Sequence, residues 1–410
     1  MSAKAEPQRR WANHTKSAEK IRKVNRKVTA KLISEVENLT TVYRAREDWD
    51  CVPQLLHKIA ALTGSARCDD AVFDNGILLY GAGSIGAGAL EYFSQKGIKV
   101  LGFLDDTPGR EASSYRGVDI VPLSFALRNN CPVVISMKNW KVPAAKLAEK
   151  GLRCESFAHY VVRTNWDRLE TVARDILCDD RSRLVYLSIL KANILSDYSL
   201  YPAIYEDNQY WAIPDFQYLA DPEAVMVDAG AYVGRIVEEF VWRSHGIFKK
   251  IHAFEPNPKL HSALKARSSR LIQEWALPDD AIACVQAGLG DQETTLDFFE
   301  SGVFNMTGGS FLFSQGKQAG SLQVRKLDQY LAGGPVTFLK ADVEGFEMPL
   351  IRGASASIKT HRPKLALSIY HRINDLFDIP LALQSLVPDY KMAVRHHTPS
   401  QQDSVLYCWV

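Results

Sequence analysis

Several features that mark special classes of protein are missing from this sequence of 410 residues. Seven cysteines are scattered without a Cys-x-x-Cys pair, so neither a disulfide framework nor a zinc site is indicated, and reduced thiols in a cytoplasmic protein are expected. No apolar run approaches the roughly 20 residues that span a bilayer, and the N-terminus lacks the apolar core of a secretory signal. A net charge of +2 gives no general attraction to nucleic acid, which is not expected as a partner.

What is present divides the chain into four regions, because its length exceeds what one hydrophobic core usually organises. We predict a helical N-terminal region at 1–70, a Rossmann-like nucleotide-binding-type domain at 71–164, a helical and aromatic linker at 165–220, and a larger α/β domain at 221–410. The basic segment Met1–Lys31 is interpreted as a solvated leader or exposed helix, with a membrane-surface or polyanion contact as the alternative.

The segment from Val225 to Gly234 is the most informative of the chain. An apolar run that predicts a buried strand ends in Asp228, and Gly230 and Gly234 follow before a helix-like run. Glycine lets the backbone approach a ligand closely, and the helix start offers unpaired N–H groups. The acid ends the first strand, unlike in the dinucleotide pattern, which suits a cationic ligand with an amino group, such as the methionine part of S-adenosylmethionine.

Two further apolar runs predict strands that end in polar or small residues. Glu255 ends the second strand, where an acid can accept both hydroxyls of a ribose. The third strand, Ala281 to Gln286, leads into Ala287, which leaves room for a flat adenine ring while Gln286 could hydrogen-bond its edge. Because ligands bind outside the carboxyl ends of parallel strands, we expect these residues to line one site.

The fourth and fifth predicted strands, Val336 to Asp342 and Lys364 to Tyr370, end beside candidate catalytic residues. His371 is the first candidate for a general base, because an unperturbed histidine titrates near neutral pH; the alternative is a histidine that orients a loop. Asp342 and Glu344 could orient an acceptor or act with a divalent metal, although pairing with Lys340 or Arg352 competes. No metal-ligand set is assigned from the sequence.

Other features leave two interpretations open. Glu347, on a helix-compatible face after Glu344, is expected to support the site rather than react. His396-His397 is interpreted as a turn. The segment Ser301–Gly320 could be a loop that closes over an acceptor or an ordinary surface connection. The aromatic residues between Tyr198 and Tyr218 are expected to pack in the core, or to form a wall for an acceptor.

In this order, the motifs Asp228-Ala-Gly-Ala-Tyr-Val-Gly234, Phe254-Glu-Pro256, Leu339-Lys-Ala-Asp-Val-Glu-Gly-Phe-Glu347 and Ile369-Tyr-His371 resemble the FkbM family of S-adenosylmethionine-dependent methyltransferases. The resemblance covers about 221–410 and implies a class I methyltransferase fold, a mostly parallel seven-stranded sheet with an antiparallel last strand. It favours O-methylation of a sugar or secondary-metabolite hydroxyl, so a small-molecule or glycan acceptor is expected. Some members carry Asn where this chain has Tyr232, which otherwise joins the cofactor-binding set.

A second glycine motif lies in the first α/β region. Gly81, Gly83 and Gly86 follow a predicted strand and open a helix, and Asp105 ends the next strand. The motif could bind a second nucleotide or a nucleotide-sugar, or its glycines could serve only tight packing. Two alternatives to a methyltransferase follow from it: a nicotinamide-dependent oxidoreductase, and a non-catalytic nucleotide-binding protein. The fold class predicted for the whole chain is α/β with two Rossmann-like domains.

Overall fold

The computed structural model describes residues 30–44, 46–63, 75–107, 109–110, 113–300 and 317–410. The predicted basic leader lies outside these ranges up to residue 29. Two compact units are present: the first runs to Arg163 and includes Asn193–Asp197, and the second comprises Thr164–Ala192 and Tyr198–Val410. None of the helices in the described ranges is both long and apolar enough to cross a membrane.

The first unit is built around a small parallel sheet. Its elements, in chain order, are α1 (30–44), α2 (Cys51–Thr63), β1 (Ile77–Tyr80), α3 (Ser84–Gln95), β2 (Val100–Leu104), β3 (Ser114–Tyr115), β4 (Val118–Asp119), α4 (Leu123–Asn129), β5 (Val133–Ile135), α5 (Lys141–Ala148), β6 (Cys154–Ser156) and α6 (Phe157–Thr164). Four strands pair in the order β2-β1-β5-β6, all parallel. Every residue of β1 is buried, as expected of a strand covered on both faces.

The second unit contains the remaining elements, apart from the last three residues of α8, which belong to the first unit. They are α7 (Trp166–Thr171), α8 (Asp180–Leu195), β7 (Val225–Ala229), α9 (Arg235–Arg243), β8 (Lys250–Phe254), α10 (Pro258–Glu274), β9 (Ile282–Val285), β10 (Gly288–Leu289), β11 (Thr294–Glu300), β12 (Lys317–Arg325), α11 (Leu327–Leu331), β13 (Phe338–Ala341), α12 (Glu347–Gly353), α13 (Ser355–His361), β14 (Lys364–Ser368), α14 (Asp375–Leu386), β15 (Lys391–His396) and β16 (Ser404–Trp409). A π-helical turn covers Val172–Ile176, and 3-10 turns cover Tyr198–Ala203 and Pro214–Phe216.

The main sheet of the second unit has seven strands in the order β15-β16-β14-β13-β7-β8-β9. β16 is antiparallel to both β14 and β15, whereas β14, β13, β7, β8 and β9 are parallel. The expected mostly parallel seven-stranded sheet is therefore confirmed. The chain starts this sheet at β7 and later returns to its other side at β13, so the two strands meet at a switch point where ligands bind in open α/β sheets.

A smaller sheet pairs β10, β12 and β11 in that order. One of its strands, β12, overlaps the segment Ser301–Gly320, which was interpreted as a loop. Residues 301–316 lie outside the described residues, but Lys317 to Gly320 already belong to β12. These last four residues of the predicted loop are therefore strand.

Aromatic residues of the predicted linker help to build the core of the second unit. Tyr210, Trp211 and Phe216 are buried. The Trp211 ring centroid lies 5.3 Å from that of Phe338, which belongs to the central strand β13. Tyr218, in contrast, is exposed. The buried members thus act as packing residues, because large rings gain most by leaving water.

Candidate active site

The turn after β7 leaves no room for a side chain at its first glycine, Gly230. Gly230 has φ +75°, and a Cβ at this position would lie 1.9 Å from the carbonyl oxygen of Asp342. Gly234, with φ +84°, would place a Cβ 2.8 Å from Leu264 Cδ1. The glycines therefore allow the β7 turn to pack directly against the end of β13 and against α10, a close approach within the protein, whereas the sequence predicted a close approach to a ligand.

Asp228 is fully buried at the carboxyl end of β7 and faces a buried lysine. Lys340 is its direct neighbour across the β7–β13 pair, and Lys340 Nζ lies 3.0 Å from Asp228 Oδ1. The ammonium also donates to the carbonyl oxygens of Ala229 (3.2 Å) and Gly230 (2.8 Å). Oδ1 of Asp228 is engaged by this ion pair, Oδ2 has no hydrogen-bond partner, and burial raises the pKa of the carboxyl group. Such a buried group is satisfied when a ligand supplies a donor.

Glu255, after β8, is held by backbone groups on both sides. Its Oε2 accepts the N–H of Tyr232 at 2.9 Å, and its Oε1 accepts the N–H of Asn257 at 2.8 Å. The residue is 6% exposed, and burial raises its pKa to about 7. Each oxygen keeps a further acceptor position for a ligand hydroxyl.

Tyr232 adopts a left-handed backbone with φ +52°. Asparagine tolerates this conformation better than most residues, which gives a physical reason for its occurrence at this position in some FkbM proteins. The tyrosine side chain is 38% exposed.

Gln286 and Ala287 lie at the same edge of the sheet. They follow β9, which pairs in parallel with β8, and the residue before Gln286 is level with Phe254. Gln286 is exposed and Ala287 is buried. The structure thus brings all seven predicted cofactor residues to the ends of three neighbouring strands.

A polar cluster lies after β13 and β14, on the other side of β7. Asp342 Oδ2 accepts the hydroxyl of Tyr210 at 3.0 Å, and its Oδ1 accepts that of Tyr370 at 3.2 Å. His371 Nε2 lies 3.5 Å from Asp342 Oδ1 and 3.6 Å from Glu344 Oε2. The three predicted catalytic residues therefore come together. Tyr210 was not among the predicted site residues, because the sequence placed it only in an aromatic cluster with core packing or an acceptor wall as its two interpretations.

The two competing partners named from the sequence are engaged elsewhere. Lys340 pairs with Asp228, and Arg352 Nε donates to Asp291 at 2.7 Å. Glu344 has φ +53° and is followed by Gly345 at φ +91°. Two left-handed residues in succession turn the chain sharply between β13 and α12, and strain of this kind clusters at functional sites. Glu344 is about half exposed, at the mouth of the cluster.

Glu347, at the start of α12, holds the histidine. Its Oε1 lies 2.9 Å from His371 Nδ1 and also accepts the N–H of Val343 at 3.0 Å. Burial lowers the pKa of His371, but Glu347, together with Asp342 and Glu344, outweighs burial and raises it to about 10. Without another cation in the cluster, the histidine is an imidazolium at neutral pH and donates protons rather than accepting them.

The pKa values of Glu344 and Asp342 shift in opposite directions. Burial raises the pKa of Glu344. Burial also acts to raise the pKa of Asp342, but the charges of Lys340 and His371 prevail and lower it. Glu344 is therefore the carboxylate that takes up a proton more readily.

His396 and His397 have structural partners at all four ring nitrogens. His396 contacts the Ser404 hydroxyl at 2.8 Å and the Ser400 carbonyl at 2.6 Å. His397 contacts the Glu206 carbonyl at 2.8 Å and the Tyr407 hydroxyl at 2.9 Å. The pair stabilises the ends of β15 and β16.

The glycine turn of the first unit shows a mixed picture. A Cβ on Gly86 would lie 2.1 Å from the carbonyl oxygen of Gly81, so packing requires this glycine, whereas a Cβ on Gly83 would meet no atom within 4 Å. Asp105 Oδ2 accepts the N–H of Ala82 at 2.9 Å and lies 3.2 Å from Arg110 Nη1. The acid that was predicted to face a ribose is engaged by its own turn.

Comparison with known proteins adds to this geometry. Residues 228–387 match the model of the methyltransferase FkbM domain, so the resemblance found in the sequence is confirmed for this part of the chain. The matched range extends from Asp228 to the residue after α14 and includes every predicted cofactor-binding and catalytic residue. No curated protein sequence matches the chain.

One solved methyltransferase structure is similar in fold over most of the chain. Methyltransferase FkbM from Methylobacillus flagellatus KT matches with a TM-score of 0.51 at 20% identity, covering 87% of this chain and 100% of that one. An rRNA methylase from Streptococcus thermophilus matches with a TM-score of 0.28 at 13% identity, covering 46% and 87%. Aeropyrum pernix fibrillarin with bound S-adenosyl-L-methionine matches with a TM-score of 0.29 at 9% identity, covering 46% and 66%.

Proposed function

We propose that the FkbM methyltransferase domain at residues 228–387 transfers the methyl group of S-adenosylmethionine to a hydroxyl group of a sugar or secondary metabolite. One observation carries the proposal. Buried carboxylates at the ends of β7 and β8, Asp228 and Glu255, share a sheet edge with the Asp342–His371 cluster at the ends of β13 and β14. A cofactor site and an acceptor site therefore adjoin.

The cofactor would lie across the ends of β7, β8 and β9. The buried carboxylate of Asp228 would accept a hydrogen bond from the amino group of the methionine part at Oδ2, the oxygen without a partner. Gly230 and Gly234 let the backbone approach this part, and Glu255 would accept the two ribose hydroxyls. Gln286 and Ala287 would border the adenine.

Methyl transfer needs the acceptor oxygen, methyl carbon and sulfur in line, so positioning contributes much of the rate. The oxygen–carbon bond forms as the carbon–sulfur bond breaks, leaving the neutral thioether of S-adenosylhomocysteine. The hydroxyl proton goes to Glu344, which is exposed at the mouth and 3.6 Å from His371. His371, held by Glu347, and Asp342 position the acceptor. This assignment moves the role of base from His371 to Glu344.

The acceptor is a small molecule or glycan in this proposal, and nucleic acid is not a partner. A cytoplasmic location agrees with the six described cysteines, all of which are free thiols. A second nucleotide or nucleotide-sugar in the first unit stays a proposal, supported by the open space at Gly83 and weakened by the engagement of Asp105. That engagement also argues against a nicotinamide-dependent oxidoreductase.

Calorimetry with S-adenosylhomocysteine tests the cofactor site directly. We expect micromolar binding that is lost in Asp228→Ala and retained in Glu223→Gln, a control at a largely exposed glutamate. Absence of binding to the native chain would refute the proposal. Labelled S-adenosylmethionine with a panel of sugar and polyketide alcohols then tests the acceptor. Glu344→Gln and His371→Ala should lower turnover much more than cofactor affinity; an equal loss of both would remove these residues from the acceptor site.

A further inference from the structure

Three side chains of metal-ligating type converge in the acceptor cluster. Asp342 follows β13, Glu347 begins α12 and His371 follows β14, and one ligand atom from each lies within 4.8 Å of the other two. The sequence alone does not show this group, because its members come from three different elements. Among the described residues, these three form a group with the spacing that a metal ion requires.

Two buried polar atoms of this group have no hydrogen-bond partner. They are Glu347 Oε2 and His371 Nε2. The side chain of Glu347 is fully buried and that of His371 is 8% exposed. Buried polar atoms are nearly always satisfied, so two orphaned atoms in one cluster indicate a missing ligand.

The charge of the cluster shows which kind of ligand fits. Asp342, Glu344 and Glu347 surround a single imidazole, so negative charge remains even when His371 is protonated. Buried negative charge is costly unless a cation compensates it.

We propose that Asp342, Glu347 and His371 bind a divalent cation. Two carboxylates and one imidazole, without a thiolate, suit a cation such as Mn²⁺ rather than a structural Zn²⁺ or Cu⁺. Glu344, about half exposed at the rim, faces the open side. The three ligands leave coordination positions for water or for an oxygen of the acceptor.

The inference rests on the proposed function and deepens it. An acceptor hydroxyl that occupies an open position of the cation has a lowered pKa, because the metal stabilises the alkoxide. Its proton passes to Glu344, its oxygen forms the new bond to the methyl carbon, and the carbon–sulfur bond breaks. The site would favour acceptors with a second oxygen next to the reacting hydroxyl, such as the vicinal diols of sugars, because both oxygens can coordinate.

Electron paramagnetic resonance of Mn²⁺ tests binding without any activity assay. The full-length protein, freed of metal by a chelator, is titrated with MnCl₂ in the absence of cofactor and acceptor. We expect one bound Mn²⁺ per chain, and at least about tenfold weaker binding in Glu347→Gln and in Asp342→Asn. Asp280→Asn, an exposed carboxylate in a surface ion pair, is the matched control and should bind as the native chain does.

Each outcome decides between the two proposals. No bound Mn²⁺ at millimolar concentration, or equal affinity in all variants, overturns the cation site. Thermal unfolding identifies a variant that fails to fold, and the other ligand variant then decides. If S-adenosylhomocysteine binds while Mn²⁺ does not, the proposed function stands without the metal. If Mn²⁺ binds at these residues while S-adenosylhomocysteine does not, the cation site stands and the proposed function fails.

Discussion

Replacing Glu255 by glutamine should make the protein gain stability relative to the native chain as the pH rises, while it weakens cofactor binding. The carboxyl group is buried, and its pKa of about 7 lies above the ordinary value of 4.5. A raised pKa means that the folded state holds the proton more tightly than the unfolded state does. Glu255 therefore costs stability as the pH rises from about 4.5 to about 7, and the full cost persists above that window. Glutamine resembles the neutral form and removes this cost.

The magnitude follows from the two pKa values. At about 1.4 kcal/mol for each tenfold change in proton affinity, the full cost is about 3 kcal/mol, of which roughly 1.4 kcal/mol is already present at pH 5.5. The stability of Glu255→Gln relative to the native chain should therefore increase by about 2 kcal/mol between pH 5.5 and pH 8.5. The contacts with the Tyr232 and Asn257 N–H groups change equally at both pH values, so they cancel from this difference.

Urea denaturation of both proteins at the two pH values measures the effect, with the exposed Glu223→Gln as the control for removal of a charge. Calorimetry on the same samples should show at least about tenfold weaker binding of S-adenosylhomocysteine, because hydrogen bonds to a charged acceptor contribute about 1.5–3 kcal/mol. A stability difference independent of pH would refute the argument that burial of this carboxyl group sets its pKa. Unchanged cofactor affinity would refute its role at the ribose.

Two further predictions concern backbone geometry. Tyr232→Asn should raise the free energy of unfolding by about 0.5–1 kcal/mol, because asparagine tolerates the left-handed backbone at φ +52°; urea denaturation that shows a loss would contradict this. In the first unit, Gly86→Ala should cost about 3 kcal/mol because its Cβ would clash with the Gly81 carbonyl, whereas Gly83→Ala should cost under about 1 kcal/mol. Similar losses in both variants would show that the turn relaxes, and loss of nucleotide binding in Gly83→Val would establish a second site.

Much of the fold could be predicted because parallel strands covered on both faces are continuous apolar runs. The run from Val225 became β7, and the runs before Glu255 and His371 became β8 and β14. Short elements gave no such signal. The smaller sheet formed by β10, β11 and β12 was not foreseen, because its strands pair across a distance in sequence that periodicity does not report.

Part of the site could be predicted, because the carboxyl ends of parallel strands lie along the same side of a sheet. This rule correctly placed Asp342 and His371 close together. The electrostatics of the site could not be predicted. Lys340 pairs with Asp228 because the register of β7 and β13 sets the two residues side by side. The sequence of one strand does not show its register with a neighbouring strand. The sequence suggested a histidine that titrates near neutral pH, but Glu347 and two further carboxylates from another element change its protonation.

Gly230 also limits how this enzyme domain could be redesigned. Because even a methyl group at Gly230 would meet the Asp342 carbonyl oxygen, the turn proposed to hold the cofactor must stay packed against the end of β13, where the proposed acceptor site begins. Substitutions at that contact would therefore disturb the proposed cofactor site and the proposed acceptor site together. An engineer who wants a new acceptor should leave this contact untouched, together with Glu344, the proposed base at the mouth of the cluster.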